Sequence, residues 1–251
     1  MVRLLSVCIL ALALVAQQAG AEPRALKVVA DEWPPFSGAA LPNQGMSLDV
    51  ISTVLRRAGY TVETQVMPWA RIIASAKTDT VDIVGSLFAD TEQATYLNYA
   101  NPFHTTRIQL VRRLGSDITF RDVPSLQPYS FAVGDGFLYE PEFDRADYLQ
   151  KQTVTTTLQA MQMVAFGRVD LTLDSVDVVN FAMQNEDPRL QERVEIAPGV
   201  MAHQGIHMAV RRTLDGNEQI VADFNATLAQ MQSDGSLDAL LAVHVGQPLM
   251  E

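Results

Sequence analysis

The chain has 251 residues, with 18 Lys and Arg against 29 Asp and Glu, a formal net charge of −11. Acidity of that size repels phosphate backbones and no basic stripe offsets it, which argues against a nucleic-acid partner. The single cysteine, Cys8, excludes a disulfide framework, yet the chain is long enough to be stabilised by core burial alone.

Residues 1–21 read as a secretory signal peptide. Arg3 precedes an unbroken apolar run from Val7 to Ala16, and Ala19-Gly20-Ala21 supplies the small-residue cleavage site. The run is shorter than the about 20 apolar residues a membrane span needs. Loss of this segment removes Cys8 and one charge, Arg3, leaving an exported, soluble, acidic chain over 22–251. The expected location is the periplasm.

Apolar β-rich runs then alternate with helical patterns, which predicts an α/β chain. Leu26–Ala30 reads as a strand, broken by the prolines of WPPFSG. SLDVISTVLRRAG carries apolar residues at helical spacing, with Ser47 as N-cap and Gly59 as terminator. TVETQVM reads as strand, WARIIASAK as helix and VDIVGSL as strand. Phe103–Val111 is an extended crossover, SFAVGDG a strand and turn, Thr157–Phe166 a helix and VDLTLDS a strand. HMAVRR carries the chain back to the first half, and one helix over Asn217–Leu241 closes it. The strand–loop–helix–strand pattern thus occurs twice, around 26–90 and 130–178.

The blocks WPPFSG, GMSLDVISTVLRRAGY, PWARIIASAKTDTVDIVGSL, YLNYANPF, FAVGDGFLY, GRVDLTLDS and FNATLAQMQSDGSLDALL occur in one order from about Leu26 to His244. In that order and spacing the sequence resembles the family 3 extracellular solute-binding proteins, the amino-acid-binding components of ABC importers. The resemblance implies a two-lobed periplasmic-binding-protein-like fold (type II), with a ligand cleft between lobes that close by hinge motion. Lobe 1 is expected over about 22–110 plus 205–251, and lobe 2 over about 111–204. It also implies a monomer that binds a small-molecule solute, needs no cofactor or metal, and docks on an ABC permease or another membrane partner.

Each candidate site residue has a physical reason and a competing structural one. Trp33 and Phe36 flank two prolines, a rigid aromatic platform for a ligand's apolar part or cation, or simply core. Trp69 and Arg71 stand in a PW-x-R form that the resemblance brings to the cleft, although Arg71 equally suits a surface position. Asp49, in a first helical turn, is structural. Gly85 and Ser86 end a strand where a ligand can come close to the backbone. Tyr139 follows the glycines of GDGFLY and lines either cleft or lobe. Asp174 ends an apolar strand, where an unpaired carboxylate is costly to bury; the resemblance sets such an acid against a ligand's amino group.

One position departs from the pattern. Six residues before Tyr99, where the family carries the Arg that clamps an α-carboxylate, stands Gln93. An amide cannot form a charged bidentate fork, so either Arg71 or Arg107 supplies that charge or the ligand is not an ordinary α-amino acid. The four histidines, including the His203/His207 pair, lack the acid of a metal-binding helix motif. No P-loop and no G-x-S-x-G is present. Capture of a small polar, amine-bearing solute is therefore the expected function. A cyclohexadienyl or arogenate dehydratase-like enzyme on the same fold, with Asp174 or Glu92 as acid or base, and a sensor-type protein docking on a receptor are the alternatives.

Overall fold

A computed structural model describes residues 25–244; the expected signal peptide lies outside the described residues. Strand β1 (Ala25–Ala30) pairs in parallel with β2 (Thr61–Val66) on one side and β3 (Ile83–Leu87) on the other. Helix α1 (Met46–Arg57) packs its apolar face, including Leu48, Ile51, Val54 and Leu55, on this sheet. Gly59, at φ 96°, ends α1: its N–H reaches Arg56 O while the Tyr60 N–H reaches Leu55 O.

The expected N-cap at Ser47 is corrected. The cap position is Gly45, and Ser47 lies inside the helix, wholly buried. The cause is the WPPF loop. Its carbonyls at Pro35 and Phe36 accept the N–H groups of Met46 and Ser47, so the first-turn donors need no side-chain cap. Gly45 has φ 96°, and a Cβ there would stand 2.6 Å from Phe36 O, so only glycine fits under the loop.

Helix α2 (Trp69–Lys77) covers the first lobe beside β3, and the short β4 (Leu97–Tyr99) pairs with a late strand. The crossover is strand β5 (His104–Arg113). The second lobe contains β6 (Ser130–Gly134), α3 (Pro141–Arg145), β7 (Gln150–Val154), α4 (Thr157–Ala165), β8 (Leu171–Ser175), α5 (Val176–Phe181) and β9 (Val194–Ile196). Strand β10 (Ala202–Arg211) returns to the first lobe. The expected terminal helix is two, α6 (Asn217–Ser233) and α7 (Ser236–His244), because Gly235 takes φ 75° between them.

The sheet runs β2-β1-β3-β10-β5-β8-β6-β7. Its centre is the antiparallel pair β5 and β10. Ala202–Ile206 face His104–Ile108, whereas His207–Val210 pair with β3 and Ile108–Arg112 with β8. Each of the two strands therefore begins in one lobe and ends in the other. Separate apolar clusters fill the lobes, one around Phe36, Leu48, Ile51 and Phe224, another around Ile108, Phe131, Phe143 and Leu173. This is a two-lobed α/β fold with a cleft between the lobes.

Candidate functional site

The cleft holds a chamber of about 460 Å³, its mouth included. The first lobe contributes Asp31, Trp33, Trp69, Ser86, Leu87, Phe88 and Gln93; the second contributes Phe137, Leu138, Tyr139 and Asp174. Both carboxylates stand at the ends of buried strands, Asp31 just after β1 and Asp174 one residue before the end of β8.

Asp174 is 1% exposed. One of its oxygens accepts from the Thr157 hydroxyl; the other accepts from Ser175 N at 2.7 Å and from the Trp33 indole N–H at 3.3 Å. All three donors are neutral. Burial pushes its carboxyl from 3.8 up to about 6, against the opposing pull of those hydrogen bonds. Asp31 is 7% exposed, and burial lifts it to about 7, opposed by its own backbone N–H and reinforced by the charges of Asp174 and Glu32. Among the described residues, no Lys, Arg or His lines the chamber.

Trp33 is held by the turn that anchors α1: its N–H donates to Ser37 O, and Phe36 N–H returns to Trp33 O. Its ring lies edge-on to Phe88, with centroids 5.1 Å apart. The Trp33–Asp174 bond and the Trp69 indole N–H on Gly136 O at 3.2 Å draw the walls together, while Gln204 Nε2 donates to Tyr139 O at 2.8 Å. Buried Tyr139 spends its hydroxyl oxygen on Gly134 N–H, so it shapes the wall. The φ of Ser86 is 60°, a strained value for a residue with a side chain. Its hydroxyl turns inward and donates to Ser47 Oγ at 3.1 Å. Gln93 is buried, and its Oε1 accepts from the Tyr99 hydroxyl at 3.2 Å.

Six of the sequence candidates thus meet at one chamber: Asp174, Trp33, Trp69, Ser86, Gln93 and Tyr139. Three do not. Phe36 is fully buried in the first lobe, packed beside Trp33 and against His104. Gly85 faces α1, where an added Cβ would meet Ile51 Cδ1 at 2.8 Å. Arg71 is exposed and absent from the lining, and so is Arg107 on β5. Neither arginine stands in the chamber beside Gln93. Sequence reasoning misses Asp31, Phe88 and Phe137. Asp31 has a legible signal, since it follows the apolar strand LKVVA as Asp174 follows LTL.

A cleft between two α/β lobes, walled by aromatic rings and buried acids, defines a ligand-binding protein of the two-lobed class. The family model of the bacterial extracellular solute-binding proteins, family 3, matches residues 26–247, and the chain belongs to that family. It is a solute-binding protein, not an enzyme. It is 23% identical over 214 residues to the L-cystine-binding protein TcyJ of Escherichia coli (strain K12), covering 83% of this chain and 77% of that one. To the L-cystine-binding protein TcyA of Bacillus subtilis (strain 168) it is 22% identical over 197 residues, 78% of this chain and 70% of that one.

Among solved structures, a histidine kinase sensor domain similar to periplasmic binding proteins superposes with a TM-score of 0.77, at 19% identity, over 91% of this chain and 99% of that one. An ancestral arginine-binding protein bound to glutamine gives 0.73 at 21% identity, over 89% and 98%. These likenesses give the type II two-lobed fold. Among the described residues no helix is long and apolar enough to cross a membrane, and no group of three or more His, Cys, Asp or Glu is placed to hold a metal ion.

Proposed function

We propose that this protein captures a small amine-bearing solute in the periplasm and delivers it, as a monomer, to the permease of an ABC importer. The observation that carries the reading is Asp174. It is a carboxylate in the cleft, enclosed by both lobes, whose three hydrogen-bond donors are all neutral. A buried carboxylate without a cation is costly, and an ammonium group on the solute removes that cost. The relatives named for L-cystine support it, since cystine carries amino groups.

Six lining residues, Asp174, Trp33, Trp69, Ser86, Gln93 and Tyr139, form the proposed binding set. Asp174 takes the amine, the tryptophans flank it, Gln93 offers its amide N–H groups, and Ser86 and Tyr139 shape the walls.

A thermal-shift screen over amino acids, amines, sugars and small acids, followed by calorimetric titration, tests the reading. One amine-bearing compound should raise the melting temperature and bind at micromolar strength or better. If no compound shifts the transition, the capture reading falls. Genes for a permease and an ATPase beside the gene for this chain would support the importer; a receptor gene there with neither would point away from it.

A further inference from the structure

The chamber adjoins a second, open cavity, about 820 Å³ with its open mouth counted, and the two share Phe88, Leu138 and Tyr139 as common wall. The second cavity carries Asp90, Glu92, Glu140 and Asp144 against a single cation among its described lining residues, Arg145. Asp90, Glu140 and Asp144 accept backbone N–H groups from Gln93, from Glu142 and Phe143, and from Tyr139. Those donors orient the carboxylates; burial lifts the Asp144 carboxyl to about 6, opposed by its backbone hydrogen bonds and by the charge of Lys151. From its floor outward, the groove presents two buried acids, a belt of aromatic rings and then four more acids.

Asp31 is the independent observation that ties this acidity to a ligand. It is more than nine-tenths buried at the chamber floor. Its carboxylate has no hydrogen-bond or ion-pair partner in any other residue among those described, its own backbone N–H being the only donor. Burial and the neighbouring charge of Asp174 hold the Asp31 carboxyl up at about 7 in the empty chamber; a cation beside it favours the ionised form, and two ionised carboxylates are more negative charge than one ammonium group neutralises. A carboxylate on the ligand would add to that charge and would meet no Lys, Arg or His among the described residues of the chamber. A ligand with several positive charges and no acid satisfies both, while the rings of Trp33, Phe88 and Phe137 take its methylenes and face its cations.

We infer that the solute is an elongated aliphatic amine carrying two or more positive charges and no carboxylate, seated with one end between Asp31 and Asp174 and the other among the acids of the outer cavity. The inference rests on the capture reading and narrows its ligand class. It separates this chain from relatives whose named ligands, cystine and arginine, carry α-carboxylates.

The test pairs each basic amino acid with its decarboxylated amine: ornithine with putrescine, lysine with cadaverine and arginine with agmatine. Spermidine is added as a longer amine. Calorimetric titration of the mature chain should show the tightest amine binding at least tenfold more tightly than its parent amino acid. Equal or tighter binding of the parent overturns the inference and leaves the capture reading standing. If no amine and no amino acid in the set binds, the inference is overturned. If sugars and acids are also silent, the capture reading falls with it. Asp31→Asn should weaken the best amine at least tenfold while the unliganded protein melts no lower than the wild type; unchanged affinity would remove Asp31 from the site.

Discussion

Replacing Asp174 by Asn removes a charge from a wholly buried place while keeping the shape of the side chain. The folded carboxyl titrates at about 6 instead of 3.8. An acid whose folded value is raised contributes stability that is fully present below its unfolded value and is lost as pH rises through the folded one. Ionising Asp174 above pH 6 therefore costs the unliganded fold at most about 3 kcal/mol, taking about 1.4 kcal/mol for each pH unit between the folded and unfolded values. That cost is already net of the hydrogen bonds from Thr157, Ser175 and Trp33; the amide escapes it but turns an NH2 toward those donors, about 1–3 kcal/mol for one group left unsatisfied. A net gain of about 1 kcal/mol at pH 8 corresponds to about 2–4 °C for a chain of this size.

At pH 4 the wild-type carboxyl is protonated and the gain is gone, so Asp174→Asn should melt at or below the wild type there. Thermal melts followed by circular dichroism at pH 4, 6 and 8 measure the crossing. Amine affinity, read by titration at pH 8, should fall by at least tenfold in the same variant. A variant that melts lower than the wild type by the same margin at all three pH values would refute the claim that Asp174 sits charged without a cation.

Three further outcomes follow from the placement of residues around the cleft. Arg71→Ala and Arg107→Ala, both at exposed positions off the lining, should leave ligand affinity within twofold by titration; a tenfold loss in either would return a cation to the site. Phe36→Ala should lower stability by about 3–5 kcal/mol in denaturant unfolding, the usual cost of emptying a buried aromatic position, since Phe36 has no exposed surface. Full stability would mean that its ring belongs to the cleft. Gly45→Ala forces a Cβ to within 2.6 Å of Phe36 O at a φ of 96°, so it should unfold at lower denaturant and weaken ligand binding, because Trp33 rides on the same turn; melting at the wild-type temperature would show that the turn yields.

Much of the architecture is legible because the chain states it locally. WARIIASAK forms a helix over the stretch its pattern predicts, and LKVVA, TVETQV and LTLDS are strands because apolar β-rich runs there are bounded by breakers. Local rules misplace Ser47 because the helix starts a residue before it, its first donors, Met46 and Ser47 N–H, being taken by carbonyls of a loop eleven residues earlier, a tertiary contact no such rule contains. The break at Gly235 is a backbone choice that helical periodicity does not record. At the site, Asp174 emerges from the cost of burying an acid, and the same reasoning applied to VVAD finds Asp31. Phe36 and Phe88 cannot be sorted in that way. Both are single aromatics on loops after strands, and which one faces the cleft depends on the packing of the opposite lobe.

The position of β10 in the sheet bears on the order in which the chain folds. It lies between β3 and β5, although it is made of residues 202–211 and its neighbours are complete by residue 113. Until those late residues arrive, β3 lacks its second neighbour, and the sheet of the first lobe ends on an open edge. Pairing across so long a stretch of chain is entropically slow. A polypeptide made amino end first thus cannot complete the sheet of its first lobe until most of it has been made, and the strand that finishes the first lobe also ties it to the second.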